Sequence, residues 1–334
     1  MGGRVKVALI GLGPIGVLIG KALLRRGWAE LVAGVDLRED IVGRDLGEVL
    51  GAGRLGVRVT NDYDEALSRS SPDVAVMATV SRLKDIHPYL SKVVEHGVNV
   101  VSTCEELVYP WAYDEGLARR VDEEAREAGV TVLGTGINPG FLMDVLPAVL
   151  TTPCVKLDAI EVTRQIDAGR RRLPFQKKVG AGLSVEEFRK ALAEGRISGH
   201  VGLEASAHLL ARAVGWALTD VKVEAPEPVV AEGDIITEFL TIREGSVAGV
   251  RQRAVGYVGG DAKLTLNFIA FVGARPEYDE VVIKGVPRVS VRIEPCVHGD
   301  YGTAGVVANV IPKVVEAGPG LKTMIDLTIP SYRP

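Results

Sequence analysis

Cysteine is nearly missing from this 334-residue sequence. Cys104, Cys154 and Cys296 stand far apart and in no metal-ligand spacing, and the five histidines complete no metal motif. Neither a disulfide framework nor a metal centre is expected. Asn (five), Gln (three) and Met (four) are also scarce, while Arg, Glu and Val are plentiful, a balance that leans toward a thermophilic source. Acidic or basic tails, internal repeats and low-complexity stretches are absent. The formal charge of −4 argues against nucleic acid or an anionic membrane as the main partner. The apolar N-terminal stretch is interrupted by Gly11 and Gly13, so it reads as neither a signal peptide nor a membrane span. A cytoplasmic protein is expected.

What is present suits a two-domain α/β chain. A hydrophobic fraction of 47% supplies large cores, and the length is comfortable for two domains. Over residues 1–150, short apolar runs alternate with amphipathic helical patterns. Strands are predicted at 5–10, 30–35, 57–59, 73–78, 98–102 and 131–133, with helices at 14–26, 61–68, 83–96 and 113–128. That alternation implies a doubly wound parallel sheet of Rossmann type. Over 151–300 the pattern changes to runs of strands, at 157–166, 237–242, 250–258, 263–271, 280–284 and 289–294, with helices at 184–194 and 202–217. This predicts an α+β domain for substrate and dimerisation, built on a largely antiparallel sheet. Residues 301–334 are expected to return to the first domain through a helix over 304–317.

Gly11-Leu12-Gly13-Pro14-Ile15-Gly16 follows the first strand, opens a helix, and is followed by Asp36 at the end of the next strand. In that context the G-x-G-x-x-G pattern is a dinucleotide fingerprint. Gly11 makes the turn, Gly13 lets the backbone approach the pyrophosphate, and Gly16 allows close helix packing. Pro14 and Ile15 start the helix whose N-terminus receives the phosphates. Asp36 suits the ribose hydroxyls of NAD; Arg38 suits either a 2′-phosphate or solvent, and Arg44 raises the same choice. The cofactor is therefore NAD or NADP.

Sheets of this kind bind ligands at the carboxyl ends of their strands. Two such ends are polar, Thr79-Val80-Ser81 and Ser102-Thr103-Cys104-Glu105-Glu106. Both are expected near the nicotinamide, where Glu105 or Glu106 can exchange protons with a substrate. Alternatively, both glutamates begin the next helix. The next strand end opens Gly134-Thr135-Gly136-Ile137-Asn138-Pro139-Gly140, in which Asn138 offers both a donor and an acceptor at the domain cleft. The basic residues Arg170, Arg171, Arg172, Lys177 and Lys178 suit a carboxylate or phosphate, or a solvated face.

GLGPIG, VVSTCEELVYP, GTGINPGFLMDVLP, RQIDAGRRRLPFQKKVGAG, HGDYGTAGVVANVIPKV and GLKTMIDL together resemble the 2,4-diaminopentanoate dehydrogenase family, which includes the native amine dehydrogenases. The first half is also similar to dihydrodipicolinate reductase and homoserine dehydrogenase. The resemblance implies reversible oxidative deamination of a primary amine or diamino acid to a carbonyl compound and ammonia, by a homodimer. It implies a catalytic Glu105, with Glu106 the alternative, and a substrate pocket from Asn138, Arg164, His200, Asn267 and Thr303. Ile166 occupies a pocket position where members acting on diamino acids are expected to be polar. Other hydride-transfer reductases and a non-catalytic nicotinamide-binding regulator are the competing readings. The lysine- and histidine-rich motif of the first reductase is missing, and Glu105 stands where homoserine dehydrogenase is expected to carry lysine. The two glutamates argue against the regulator.

Overall fold

The computed structural model describes residues 3–171, 173–197 and 199–334. The chain forms two compact units. One runs to Phe141 and is completed by His298–Pro334; the other spans Leu142–Val297.

The first unit alternates β1 (Val5–Ile10), α1 (Pro14–Leu23), β2 (Ala29–Val35), α2 (Leu46–Val49), β3 (Val59–Thr60), α3 (Tyr63–Ser70), β4 (Val74–Met77), α4 (Leu83–Glu95), β5 (Asn99–Ser102), α5 (Glu115–Glu127) and β6 (Thr131–Gly134). The second unit holds α6 (Val145–Leu150), β7 (Lys156–Asp167), α7 (Leu173–Lys178), α8 (Val185–Ala193) and α9 (Leu203–Ala213). It continues with β8 (Asp220–Val223), β9 (Glu227–Val230), β10 (Ile235–Ile236), β11 (Thr241–Ile242), β12 (Val247–Val258), β13 (Asp261–Phe271), β14 (Tyr278–Val286) and β15 (Val289–Ile293). The chain then completes the first unit with α10 (Gly299–Glu316) and β16 (Gly320–Lys322).

The first sheet has the order β16-β6-β5-β4-β1-β2-β3, and every pairing in it is parallel. Covered on both faces, β4 is buried along its whole length and reads Val-Ala-Val-Met without alternation. The helices follow local chemistry. Asp114 caps α5 by accepting from Leu117 N, and Ala118, Val121 and Ala125 form its buried stripe at helical spacing. The strand order reverses between β1 and β4, so the loops after these two strands meet at a switch point.

The second sheet runs β15-β14-β7-β13-β12-β8, with β9 also on β12. It is antiparallel except where β7 and β13 pair in parallel. Alternate residues Ile160, Val162 and Ile166 of β7 and Leu264, Leu266 and Phe268 of β13 enter one core with Phe188 of α8 and Leu203 and Leu210 of α9.

Two strand expectations need correction. Residues 237–242 do not form one strand: β10 and β11 pair as a hairpin. Thr237 Oγ1 accepts from Phe239 N (3.2 Å) and Leu240 N (2.9 Å), so the hydroxyl makes the turn that its β propensity concealed. The third strand lies at 59–60 rather than 57–59, because the Val57 carbonyl accepts from Leu46 N at the start of α2.

Candidate dinucleotide and active site

The phosphate cradle is built from three glycines with different duties. Gly11 has φ +85°, and a Cβ there would lie 2.5 Å from the Ala78 carbonyl oxygen. Only glycine lets the loops after β1 and β4 meet this closely. A Cβ on Gly16 would sit 1.9 Å from the Gly11 carbonyl oxygen, so this glycine lets α1 fold back on the turn. A Cβ on Gly13 would meet nothing within 4 Å. Gly13 therefore borders open space at the start of α1, where Pro14 takes an early position and no acidic side chain opposes an anion.

Beside the cradle lies a hollow of about 320 Å³ whose rim carries Asp36, Arg38, Tyr63 and Tyr89. The rings of Tyr63 and Tyr89 stack at 5.7 Å. Leu37, Val80 and Tyr89 expose apolar surface at this hollow, 63% for Leu37, which suits an adenine ring. Burial, with Tyr89 and Asp36 nearby, pushes the Tyr63 phenol up to about 12, so it keeps its proton. Asp36 Oδ2 accepts from Leu12 N (2.6 Å), while Oδ1 accepts from Arg38 N (2.9 Å) and Nε (3.3 Å). Arg44 is exposed beside β3. Open space at Gly13, an apolar rim and an acceptor at the end of β2 fit a dinucleotide.

A second hollow, of about 280 Å³, lies at the ends of β4, β5 and β6. Ile15, Thr79, Val80 and Thr103 line it on the cofactor side, with Glu105, Asn138 and Thr303 also on its wall. The two neighbouring glutamates part company here. Glu105 faces the hollow, whereas Glu106 Oε2 accepts from Leu83 N (2.8 Å) and caps α4. Thr303, on α10, accepts through Oγ1 from Ile137 N (3.3 Å). Ser102 is fully buried, donates to the Met77 carbonyl (3.1 Å) and accepts from Cys104 N (3.1 Å). It shapes the loop from beneath and presents no free hydroxyl to a cofactor, contrary to the expectation for it. The Cys104 thiol is buried and pushed up to about 12, which leaves it inert.

Sequence reasoning missed Thr135. It lines the same hollow, and its buried Oγ1 meets no hydrogen-bond partner among the described residues. Its position directly after β6 was the available signal.

In the second unit the expected pocket residues do not gather. Arg164 is 2% exposed and donates to Asp279 Oδ1 (2.7 Å) and to the Val297 carbonyl. This guanidinium is a structural strut. Burial pushes the Asp279 carboxyl up, against the opposing pull of Arg164. Ile166 packs in the core. The His200 ring stacks on Phe268 with centroids 4.4 Å apart. Burial, then the charges of Lys178 and Arg164, push this imidazole down to about 3, so it is neutral near pH 7. Asn267 points to the opposite sheet face, where Nδ2 donates to Thr163 Oγ1 (3.2 Å) and Glu161 Oε1 (3.4 Å). Period two in β13 separates it from Phe268 and His200.

The basic run is also divided. Arg170 pairs with Glu277 (2.9 Å), and the Arg171 guanidinium lies 5.0 Å over the Phe175 ring. Lys177 and Lys178 are exposed, and Arg172 lies outside the described residues. Among the described residues no cluster of three or more His, Cys, Asp or Glu could hold a metal ion, and no helix is long and apolar enough to cross a membrane.

Known proteins bear on this geometry as follows. Residues 141–332 match the 2,4-diaminopentanoate dehydrogenase C-terminal domain, and residues 5–104 match the dihydrodipicolinate reductase N-terminus. The chain is 34% identical to 2,4-diaminopentanoate dehydrogenase of Acetoanaerobium sticklandii, over 98% of this chain and 94% of that one. It is 25% identical to an amine dehydrogenase of Streptomyces virginiae, over 97% and 96% of the two chains. The solved amine dehydrogenase of Mycobacterium smegmatis superposes with a TM-score of 0.86 at 25% identity, covering 99% of this chain and 98% of the other. With a dinucleotide cradle, a neighbouring carboxylate-lined hollow and these full-length similarities, the chain belongs to the 2,4-diaminopentanoate dehydrogenase family of NAD(P)-dependent amine oxidoreductases.

Proposed function

We propose that the chain reversibly deaminates a primary amine or a diamino acid, with Glu105 as the acid–base group. The observation that carries this is the division of labour between adjacent carboxylates: Glu105 lines the hollow while Glu106 caps α4. Written in full, the ammonium form of the amine, the oxidised dinucleotide and one water give a carbonyl compound, an ammonium ion, the reduced dinucleotide and one proton. The dinucleotide, when bound, supplies the acceptor for the hydride leaving the carbon that bears nitrogen. Glu105 attracts the ammonium, accepts its proton, and steadies the water that adds to the resulting iminium carbon. An alcohol offers no cation for this carboxylate to attract. Asn138 and Thr303 orient the substrate from the same wall, and Thr79, Val80 and Thr103 border the nicotinamide.

NAD(P)H formation across a panel of amines, amino acids and alcohols tests the reading. Amines turn over. Glu105→Gln loses about 10²–10⁴-fold in kcat with NADH binding intact, as removal of a general acid–base group does. Glu106→Gln keeps turnover. Alcohol oxidation with amines inert, or full turnover in Glu105→Gln, refutes it.

We also propose that the protein is a cytoplasmic homodimer of thermophilic origin that accepts NADP beside NAD. Thermophily rests on the sparse Asn, Gln and Met, and location on three cysteines that are all free. The dimer rests on the second sheet's other face, where Glu161, Thr163, Asn267 and Arg253 point away from the core that α8 and α9 cover. Light scattering is expected to give twice the 35.6 kDa chain mass; a monomer at micromolar concentration contradicts the dimer.

A further inference from the structure

We propose that Arg38 sets the cofactor preference, by clamping the glycine-rich turn in the form that receives an unmodified ribose and by being the donor that a 2′-phosphate recruits. The inference rests on the dinucleotide site above and concerns its adenosine end.

Leu12 lies between the first two fingerprint glycines, and both sides of its backbone are held from the end of β2. Its N–H donates to Asp36 Oδ2 at 2.6 Å, and its carbonyl accepts from Arg38 Nη2 at 2.8 Å. Arg38 is itself held to Asp36 Oδ1 through its backbone N and its Nε. Two side chains thus grip one residue of a turn whose glycines provide no side chain for packing. A carboxylate has about four acceptor sites, so these three bonds leave Asp36 room for a ribose hydroxyl.

The clamp is also releasable. The Arg38 side chain is 51% exposed, and an ion pair so open to water is weak. A 2′-phosphate arriving beside Asp36 meets a repelling carboxylate, and Arg38 is the cation within reach that can answer it. Its guanidinium presents a planar fork suited to phosphate oxygens. Turning to the phosphate, however, strips the Leu12 carbonyl and Asp36 Oδ1 of a donor. The site therefore takes both dinucleotides, with an advantage for NAD.

The test uses adenosine fragments that cannot turn over. Calorimetric binding of 2′,5′-ADP and of 5′-AMP is compared in the wild-type chain, Arg38→Ala and Arg38→Lys. In Arg38→Ala the affinity for 2′,5′-ADP is expected to fall at least about ten-fold and that for 5′-AMP only a few-fold, because the clamp is lost but Asp36 remains. Arg38→Lys, which keeps a point charge without the fork, is expected to lie between. An unchanged ratio of the two affinities in a variant that still binds 5′-AMP overturns the proposal. So does a wild-type preference for 2′,5′-ADP that survives in Arg38→Ala. If amines prove not to be substrates while these ratios hold, the amine reading fails and the role of Arg38 stands.

Discussion

The two units treat their polar residues in opposite ways. In the first, Gly11, Thr79, Thr103, Glu105 and Asn138 all lie just beyond strand ends, and all border open hollows. In the second, Arg164 sits inside a strand and is sealed against Asp279, while Asn267, three residues from the end of its register with β7, turns to the other sheet face. A parallel sheet gathers its strand ends on one edge whatever the side chains are. In the mixed sheet a residue's role depends on which face it takes, and a one-residue step reverses that face.

The comparison can be broken at Arg164. If this residue is a strut, truncation harms the fold before it harms binding. Arg164→Ala leaves Asp279 buried without its partner, and loss of one member of a buried pair costs about 3–5 kcal/mol. Urea unfolding measures this directly. Replacing both residues with apolar ones of similar volume restores much of the loss. A stable Arg164→Ala variant with a raised KM for the amine alone would return Arg164 to the substrate, and the contrast between the units would fail.

Much of the first unit was legible in the sequence because its signals are local. The run of β1, the fingerprint, and Asp36 after β2 follow one another at short range, and the switch point follows from them. Strand β16 was not legible, since Gly320-Leu321-Lys322 is too short to show a period and forms only by pairing with β6. Thr135 was within reach of the same strand-end rule that found Glu105, and was passed over because attention rested on Asn138. The roles of Ser102 and Glu106 were not accessible. Their partners, the Met77 carbonyl and Leu83 N, lie about two dozen positions away in sequence and meet them only in the folded sheet. The pocket grouping of Arg164, Ile166, His200 and Asn267 came from family likeness. Register and ion pairing, which decide where those side chains face, leave no mark in any single strand.

The smallest effect sharpens the comparison most finely, because it divides two adjacent residues of identical chemistry. Helix α4 starts after Arg82, whose side chain makes no capping bond. The first-turn amide of Leu83 is instead satisfied by Glu106, reaching from the loop after β5. A capping side chain is worth about 0.5–2 kcal/mol, and a carboxylate also complements the positive end of the helix. Glu106→Ala is therefore expected to lower unfolding free energy by about 1 kcal/mol while kcat changes little. Glu105→Ala is expected to do the reverse, since that side chain lines a hollow. Denaturant midpoints and kcat, measured on both variants, give a two-by-two outcome. If Glu106→Ala lost turnover with its midpoint unchanged, the carboxylate at the hollow would not be the one that works, and the division drawn between cap and acid–base group would have to be exchanged.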